Sequence, residues 1–165
     1  MARRGPADIA ARLDALYAQL PRIECRGSCH DSCGPIDMTR PERRRIAVAG
    51  YEVTPEAAIV AGMRCPALTV LKRCAVYPVR PMICRLWGLT RAMTCTYGCV
   101  PEGGHLSEAQ AYEFLACAAD IAGETAQAAR FRRVAVLPDL ERAVRHVRGP
   151  LGDLADAEQR WNAVV

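Results

Sequence analysis

Nine cysteines occur in this 165-residue chain, and eight of them fall in one stretch with a definite spacing. Their order is Cys25-x3-Cys29-x3-Cys33, then Cys65-x8-Cys74-x9-Cys84, then Cys95-x3-Cys99. Eight thiolates are the number needed for two tetrahedral four-cysteine sites. Soft sulfur donors select zinc, iron-sulfur clusters or Cu(I) and set magnesium and calcium aside. Zinc knuckles favour C-x2-C or C-x4-C pairs, whereas every tight spacing here is x3. An iron-sulfur cluster is larger than a single ion and can collect thiolates from scattered loops, as the x8 and x9 spacings require. The expected cofactor is therefore an iron-sulfur cluster, with two centres available, and zinc next. The expected metal ligands are Cys25, Cys29, Cys33, Cys65, Cys74, Cys84, Cys95 and Cys99. Spacing leaves their partition between two sites open.

Blander readings exist. The thiols could be incidental buried residues, or one pair could form a regulatory disulfide, although x3 spacing lacks the C-x-x-C redox motif. An odd number leaves at least one cysteine outside any intramolecular pairing. That residue is expected to be Cys117, which lies in a helical pattern and reads as a small buried hydrophobe.

These side chains need a scaffold. From Asp8 to Leu20, Ile9, Leu13, Leu16, Tyr17 and Leu20 recur at helical spacing, with Asp8 the expected N-cap and Pro21 the stop. Residues 21 to 35 hold glycines and Pro35, so the first cysteine group is expected on loops or short turns. Thr39 and Glu42 make a T-x-x-E capping box for a helix running to Gly50, and Thr54-Pro55-Glu56 starts another ending near Gly62. Residues 63 to 104 are dense in Cys, Pro and Gly. There Cys74 to Tyr77 is expected to be extended and Met82 to Trp87 a turn or two of helix. Ser107 caps a strong helix expected to continue past Gly123 to Arg133. Two more helices are expected, from Pro138 to Gly149 and from Asp153 to Trp161. The expectation is a mostly α fold, one domain over 1–165. A cysteine core at about 25–104 would be held by helical scaffold at 7–20 and 107–162.

The segments Cys65-Pro66-Ala67-Leu68, Arg73-Cys74-Ala75-Val76-Tyr77 and Arg80-Pro81-Met82-Ile83-Cys84-Arg85-Leu86-Trp87-Gly88 resemble the YkgJ-type cysteine-cluster family of zinc- or iron-chelating domains. The shared signature is an amino-terminal cysteine group, then C-x-x-L, C-x-I-Y-x-x-R-P and C-R, and Cys95-Thr96-Tyr97-Gly98-Cys99 is similar to an extension in some members. The resemblance covers about residues 25 to 104. This chain has Cys33-Gly34 where the family's first group ends in adjacent cysteines. The resemblance implies metal chelation. Relatives among the flagellin lysine methylases are associated with an iron-sulfur cluster, which implies iron before zinc without implying methylase activity.

A four-thiolate site with a +2 core carries about two negative charges, so arginine nearby would compensate it. Arg80 and Arg85 are the expected cofactor-binding cations, with Arg73 behind them. His30 sits inside the first cysteine group as an alternative ligand, while His105 and His146 read as surface or helix-end residues. Tyr77 and Trp87 are expected to pack over the site and limit water access. Arg43-Arg44-Arg45 point in three directions on a helix and read as a solvated face, as do Arg130, Arg132 and Arg133.

The formal net charge of +4 would be brought near zero by eight thiolates and two divalent cores, so a nucleic-acid partner is not expected. No apolar run of about 18 residues and no signal-peptide pattern occurs, so no membrane partner and a cytoplasmic location are expected. The sequence lacks a Gly-rich phosphate loop, a G-x-S-x-G elbow and an H-E-x-x-H pair. The expected function is metal binding in a redox, electron-transfer or structural role, with a redox or protein partner not identified by sequence. The alternative is an enzyme or enzyme accessory subunit whose metal keeps an open coordination position. Cu(I) storage would need cysteines lining long helices, which these avoid.

Overall fold

The computed structural model describes residues 5–25, 27 and 29–136, and among them six α-helices and two short 3-10 turns carry the architecture. No strand forms there; extended pairing is limited to isolated bridges at Leu68 with Cys74 and Thr90 with Leu106. The mostly helical expectation holds. The helices expected at 138–149 and 153–161, with His146, lie outside the described residues.

Helix α1 spans Pro6–Tyr17. It starts before the expected Asp8 because Pro6 supplies a pre-set helical φ at the first position, leaving Asp8 in the first turn rather than at the cap. It ends at Tyr17, three residues short of Leu20, in a turn that leads into Pro21. Helix α2, Arg40–Val48, carries the expected Thr39/Glu42 capping box. Helix α3, Pro55–Val60, is capped by the Thr54 hydroxyl, which accepts from the Ala57 amide at 3.1 Å.

The segment expected to be extended from Cys74 to Tyr77 pairs only at Cys74 and then coils into a 3-10 turn, Tyr77–Val79. Pro78 removes the amide a strand would need there. Helix α4, Met82–Leu86, is the short helix expected at that place. Helix α5 spans Glu108–Ala122 with the Ser107/Gln110 capping box. The expected continuation past Gly123 does not occur: Gly123 takes φ +78 as a left-handed C-cap, and α6 restarts at Thr125–Ala135.

Three buried clusters hold these elements. The largest joins Leu13, Leu16 and Tyr17 of α1 to Met82 and Leu86 of α4 and Ala111 and Ala118 of α5. Each large aliphatic residue there stabilises the fold by about 1.5–3 kcal/mol relative to exposure. A second cluster, Met38, Ile46, Val53, Ala67 and Val76, has Cys65 and Cys74 packed on its edge. The third, Ala116, Ala119 and Ala128, uses small side chains to bring α5 and α6 close. The cysteine loops therefore lie on two cores, one from α1, α4 and α5 and one from α2 and the 65–79 loop.

Candidate metal centre

One group of four thiols, Cys33, Cys65, Cys74 and Cys84, hereafter the first group, is drawn together by backbone hydrogen bonds between segments distant in sequence. Cys33 ends the 3-10 turn His30–Ser32, and its carbonyl accepts from the Cys65 amide at 3.1 Å. From Cys65 the chain doubles back: Thr69 N donates to Arg73 O at 2.9 Å and Ala75 N to Ala67 O at 2.9 Å. Lys72 takes a positive φ of 58 at the tip. That reversal returns Cys74 beside Leu68, one turn after Cys65. Cys84 comes in on α4, which starts at Met82 directly after the buried Pro81.

The charges of these thiols converge on Cys84 and Cys33. Burial first, then the charges of Cys65, Cys74 and Cys33, push Cys84 up to about 12. Burial first, then Cys29, Cys65 and Cys74, push Cys33 up to about 11. Cys65 is also raised, by burial and by Cys74. Mutual elevation of this kind follows when several acids that become anionic share one desolvated space.

The second group gathers around Cys29. Its thiol is raised by burial, then by Cys25, with a smaller contribution from Cys95. Burial first, and then Cys25, raise the Tyr77 hydroxyl, and the Gly27 amide donates to Cys25 Sγ at 3.3 Å. Gly88, at φ +86, lets the chain pass close: a Cβ there would meet Ile23 Cδ1 at 3.0 Å and Cys95 Cβ at 3.6 Å. Cys99 follows in a turn closed by Gly98 N to Cys95 O at 3.1 Å. It lines an open concavity of about 370 Å³ with Glu24 and Glu102. The Glu102 amide donates to Arg22 O at 2.8 Å, which ties this turn to the chain leading into Cys25. The two groups adjoin through Cys29 and Cys33, whose Sγ donates to Cys29 O at 3.7 Å.

Among the described residues no three Cys, His, Asp or Glu side chains already converge as ligands of a single ion. The thiols are neighbours in charge and are not closed on one point. As a donor set they still fit a soft metal: the acids that disfavour one another's ionisation are those whose deprotonation a bound cation would drive.

Arg80 stands with these thiols. Its charge favours the thiolate forms of both Cys29 and Cys84, and its guanidinium lies 4.0 Å from the Tyr77 ring centroid. Arg85 is placed differently. Its Nε donates to Arg80 O and its Nη2 to Pro78 O, each at 2.8 Å, and it stacks 4.1 Å from the Tyr17 ring centroid. It therefore braces the Arg80 backbone. Arg73 reaches the first loop, with Nη1 donating to Gly27 O at 3.5 Å. His30 pairs with Asp31 at 3.0 Å.

Other expectations resolve unevenly. Cys117 is half-buried at the edge of the largest core, with Sγ donating to Glu113 at 3.8 Å, rather than fully buried. Trp87 packs on that same core, and Tyr77 is partly exposed. His105 is half-buried, with a solvent-inaccessible Nε2, and is not the surface residue expected. Arg45 is not simply solvated, since it pairs with Asp14 at 2.7 Å. Arg132 likewise pairs with Glu113 and Asp120.

Sequence reasoning missed the buried carboxylates. Glu42 is 2% exposed and accepts four hydrogen bonds. They come from the Tyr17 hydroxyl at 2.8 Å, the Thr39 amide at 2.9 Å, the Thr39 hydroxyl at 2.8 Å and the Met82 amide at 2.7 Å. The capping box pointed to the Thr39 bonds, but nothing in the pattern announced that the same carboxylate would hold the start of α4. Glu108 is also buried and accepts from the Ala92 amide at 3.0 Å.

Compared with known protein families, residues 24–115 match the pattern of the CxxCxxCC family, whose description is "Putative zinc- or iron-chelating domain". The match spans more than half of the chain. This protein belongs to that family. The matched segment of this CxxCxxCC member runs from just before Cys25 into α5, so it takes in all eight clustered cysteines and the two arginines. No curated protein and no solved structure matches the chain. Among the described residues no helix is long and apolar enough to cross a membrane.

Proposed function

We propose that the eight clustered cysteines of this zinc- or iron-chelating domain form two four-thiolate centres. Cys33, Cys65, Cys74 and Cys84 make one, and Cys25, Cys29, Cys95 and Cys99 the other. The observation that carries this reading is that Cys33, Cys65 and Cys74 all act on the buried Cys84 thiol, brought to it by two separate loops and a helix. Iron-sulfur clusters are the preferred occupants, because thiols spread over loops rather than paired in knuckles suit a larger inorganic core. Such clusters would supply one-electron chemistry, and the protein's role would be electron transfer or redox sensing with a partner in the cytoplasm. Arg80 balances the negative charge of the thiolates, and Arg85 holds Arg80 in place.

A second reading draws on the concavity beside Cys99, walled by Glu24 and Glu102. A metal bound there with one ligand position open to solvent would suit an enzyme or its accessory subunit. Metal and acid-labile sulfide per chain, measured on protein purified without oxygen, test both readings. Two clusters give about four to eight iron with equal sulfide. About two zinc and no sulfide would replace the redox role with a structural one. An exchangeable water on the second centre would favour the enzymatic reading.

A further inference from the structure

Arg80 is near enough to both cysteine groups for its charge to act on Cys84 and on Cys29. It lies between the 3-10 turn Tyr77–Val79 and Pro81, the N-cap of α4. Its carbonyl is held by Arg85 Nε at 2.8 Å, so the backbone cannot swing away without breaking that bond. Its guanidinium rests on the Tyr77 ring, 4.0 Å from the centroid, and the Tyr77 hydroxyl is near enough to Cys25 of the second group for that thiol to raise its pKa. Four residues further on, Cys84 belongs to the first group. Arg80 Nε is shielded from solvent and has no hydrogen-bond partner among the described residues. A buried guanidinium N–H left without an acceptor is costly, and a thiolate or cluster sulfur is an acceptor that would satisfy it.

We propose that Arg80 is a counter-charge shared by both centres, with its Nε–H donating to bound sulfur and its cation lying between two anionic thiolate sets. This rests on the two-centre reading above. The same guanidinium favours the thiolate at Cys84 and at Cys29, one from each group. Two centres of about two negative charges each would repel when both are filled, and a cation between them reduces that repulsion. The consequence is that affinity for a soft metal at both centres depends on one side chain that ligates neither.

The test uses Co(II) added to reduced, metal-stripped protein against a competing chelator, read by the thiolate-to-cobalt charge-transfer absorption. It is run in two single-centre backgrounds, Cys84→Ser and Cys95→Ser. Arg80→Met is expected to weaken Co(II) binding about tenfold in each background, the effect of losing one opposite charge beside an anionic site. Arg80→Lys keeps the charge and gives up the Nε donor, and is expected to fall between. Arg44→Met, at an exposed α2 position, is expected to change neither. A loss confined to one background, or to neither, overturns the shared role while leaving two centres standing. Failure of the unsubstituted chain to bind Co(II) at all would remove the two-centre reading and this inference together. If Arg80→Met loses its helical circular dichroism, Arg80→Lys decides alone: weakening at both centres supports the proposal, and weakening at one or none contradicts it.

Discussion

The Tyr17 hydroxyl donates to Glu42 Oε1 across 2.8 Å, joining α1 to the capped start of α2, and the same oxygen receives the Met82 amide that begins α4. The Tyr17 ring carries Arg85, and Arg85 holds the Arg80 carbonyl. A chain of contacts thus runs from a buried carboxylate, through two aromatic and cationic side chains, to the thiols. Burial first, and then the Glu42 charge, raise the Tyr17 hydroxyl well above the ordinary tyrosine range, which favours its role as the donor to Glu42.

Glu42→Ala would strand the Tyr17 hydroxyl and the Met82 amide in the core. The expected cost is about 3 kcal/mol or more in denaturant unfolding of the metal-free protein, with Glu42→Gln losing less. Because Met82 starts the helix bearing Cys84, metal retention should fall at the first centre in the same variant. Wild-type unfolding in Glu42→Ala would mean these bonds contribute nothing net.

Gly88→Ala tests the close passage beside the second centre. A methyl group would meet Ile23 Cδ1 at 3.0 Å and sit at φ +86, where only glycine is comfortable. A stability loss of about 1–3 kcal/mol is expected. Metal affinity should drop more at the centre containing Cys95 than at the one containing Cys84, and an equal drop at both would show a general loosening instead.

Much of this was legible in the chain. The capping boxes at Thr39 and Ser107 and the short helix at Met82 follow from local chemistry, and the structure has them. The misreadings have physical causes. Asp8 is a good cap residue, but Pro6 starts the helix sooner, and Gly123 is a stronger stop than the apolar stripe suggested. The proposed grouping of Cys33 with Cys84 depends on the Cys33–Cys65 backbone bond and on the placement of α4 by Glu42. Both are contacts across tens of residues that spacing does not encode. Arg80 and Arg85 looked equivalent as neighbours of the R-P and C-R motifs, yet only the fold separates the one facing the thiols from the one bracing it.

The raised thiols fix the sign of a pH effect. Cys33 is pushed up to about 11 and Cys84 up to about 12, both above the ordinary thiol value that an unfolded chain would show. Their contribution to the metal-free fold is therefore complete below about pH 9 and is lost as pH rises through the folded values. Urea unfolding of reduced, metal-stripped protein should weaken between about pH 9 and 12, and less so in the Cys33→Ala/Cys84→Ala double variant. Metal-loaded protein should behave oppositely, losing its metal as acid protonates the thiolates. Identical alkaline slopes in the two metal-free proteins would contradict the assignment.

Cys117 should be dispensable. It lies on α5, its thiol turned to Glu113, and burial first and that carboxylate next raise its pKa. Cys117→Ser is expected to keep full metal content and to change stability by less than about 1 kcal/mol. Loss of metal in this variant would require a ninth ligand and a different partition.

The most direct test of the account is metal bound per chain in the unsubstituted protein, in Cys84→Ser, in Cys95→Ser and in the double variant. The two-centre arrangement predicts that each single substitution removes about half of the metal and that the double variant retains almost none. Complete loss from either single substitution, or the same residual site surviving in both, would show that the eight cysteines do not divide as Cys33, Cys65, Cys74 and Cys84 against Cys25, Cys29, Cys95 and Cys99.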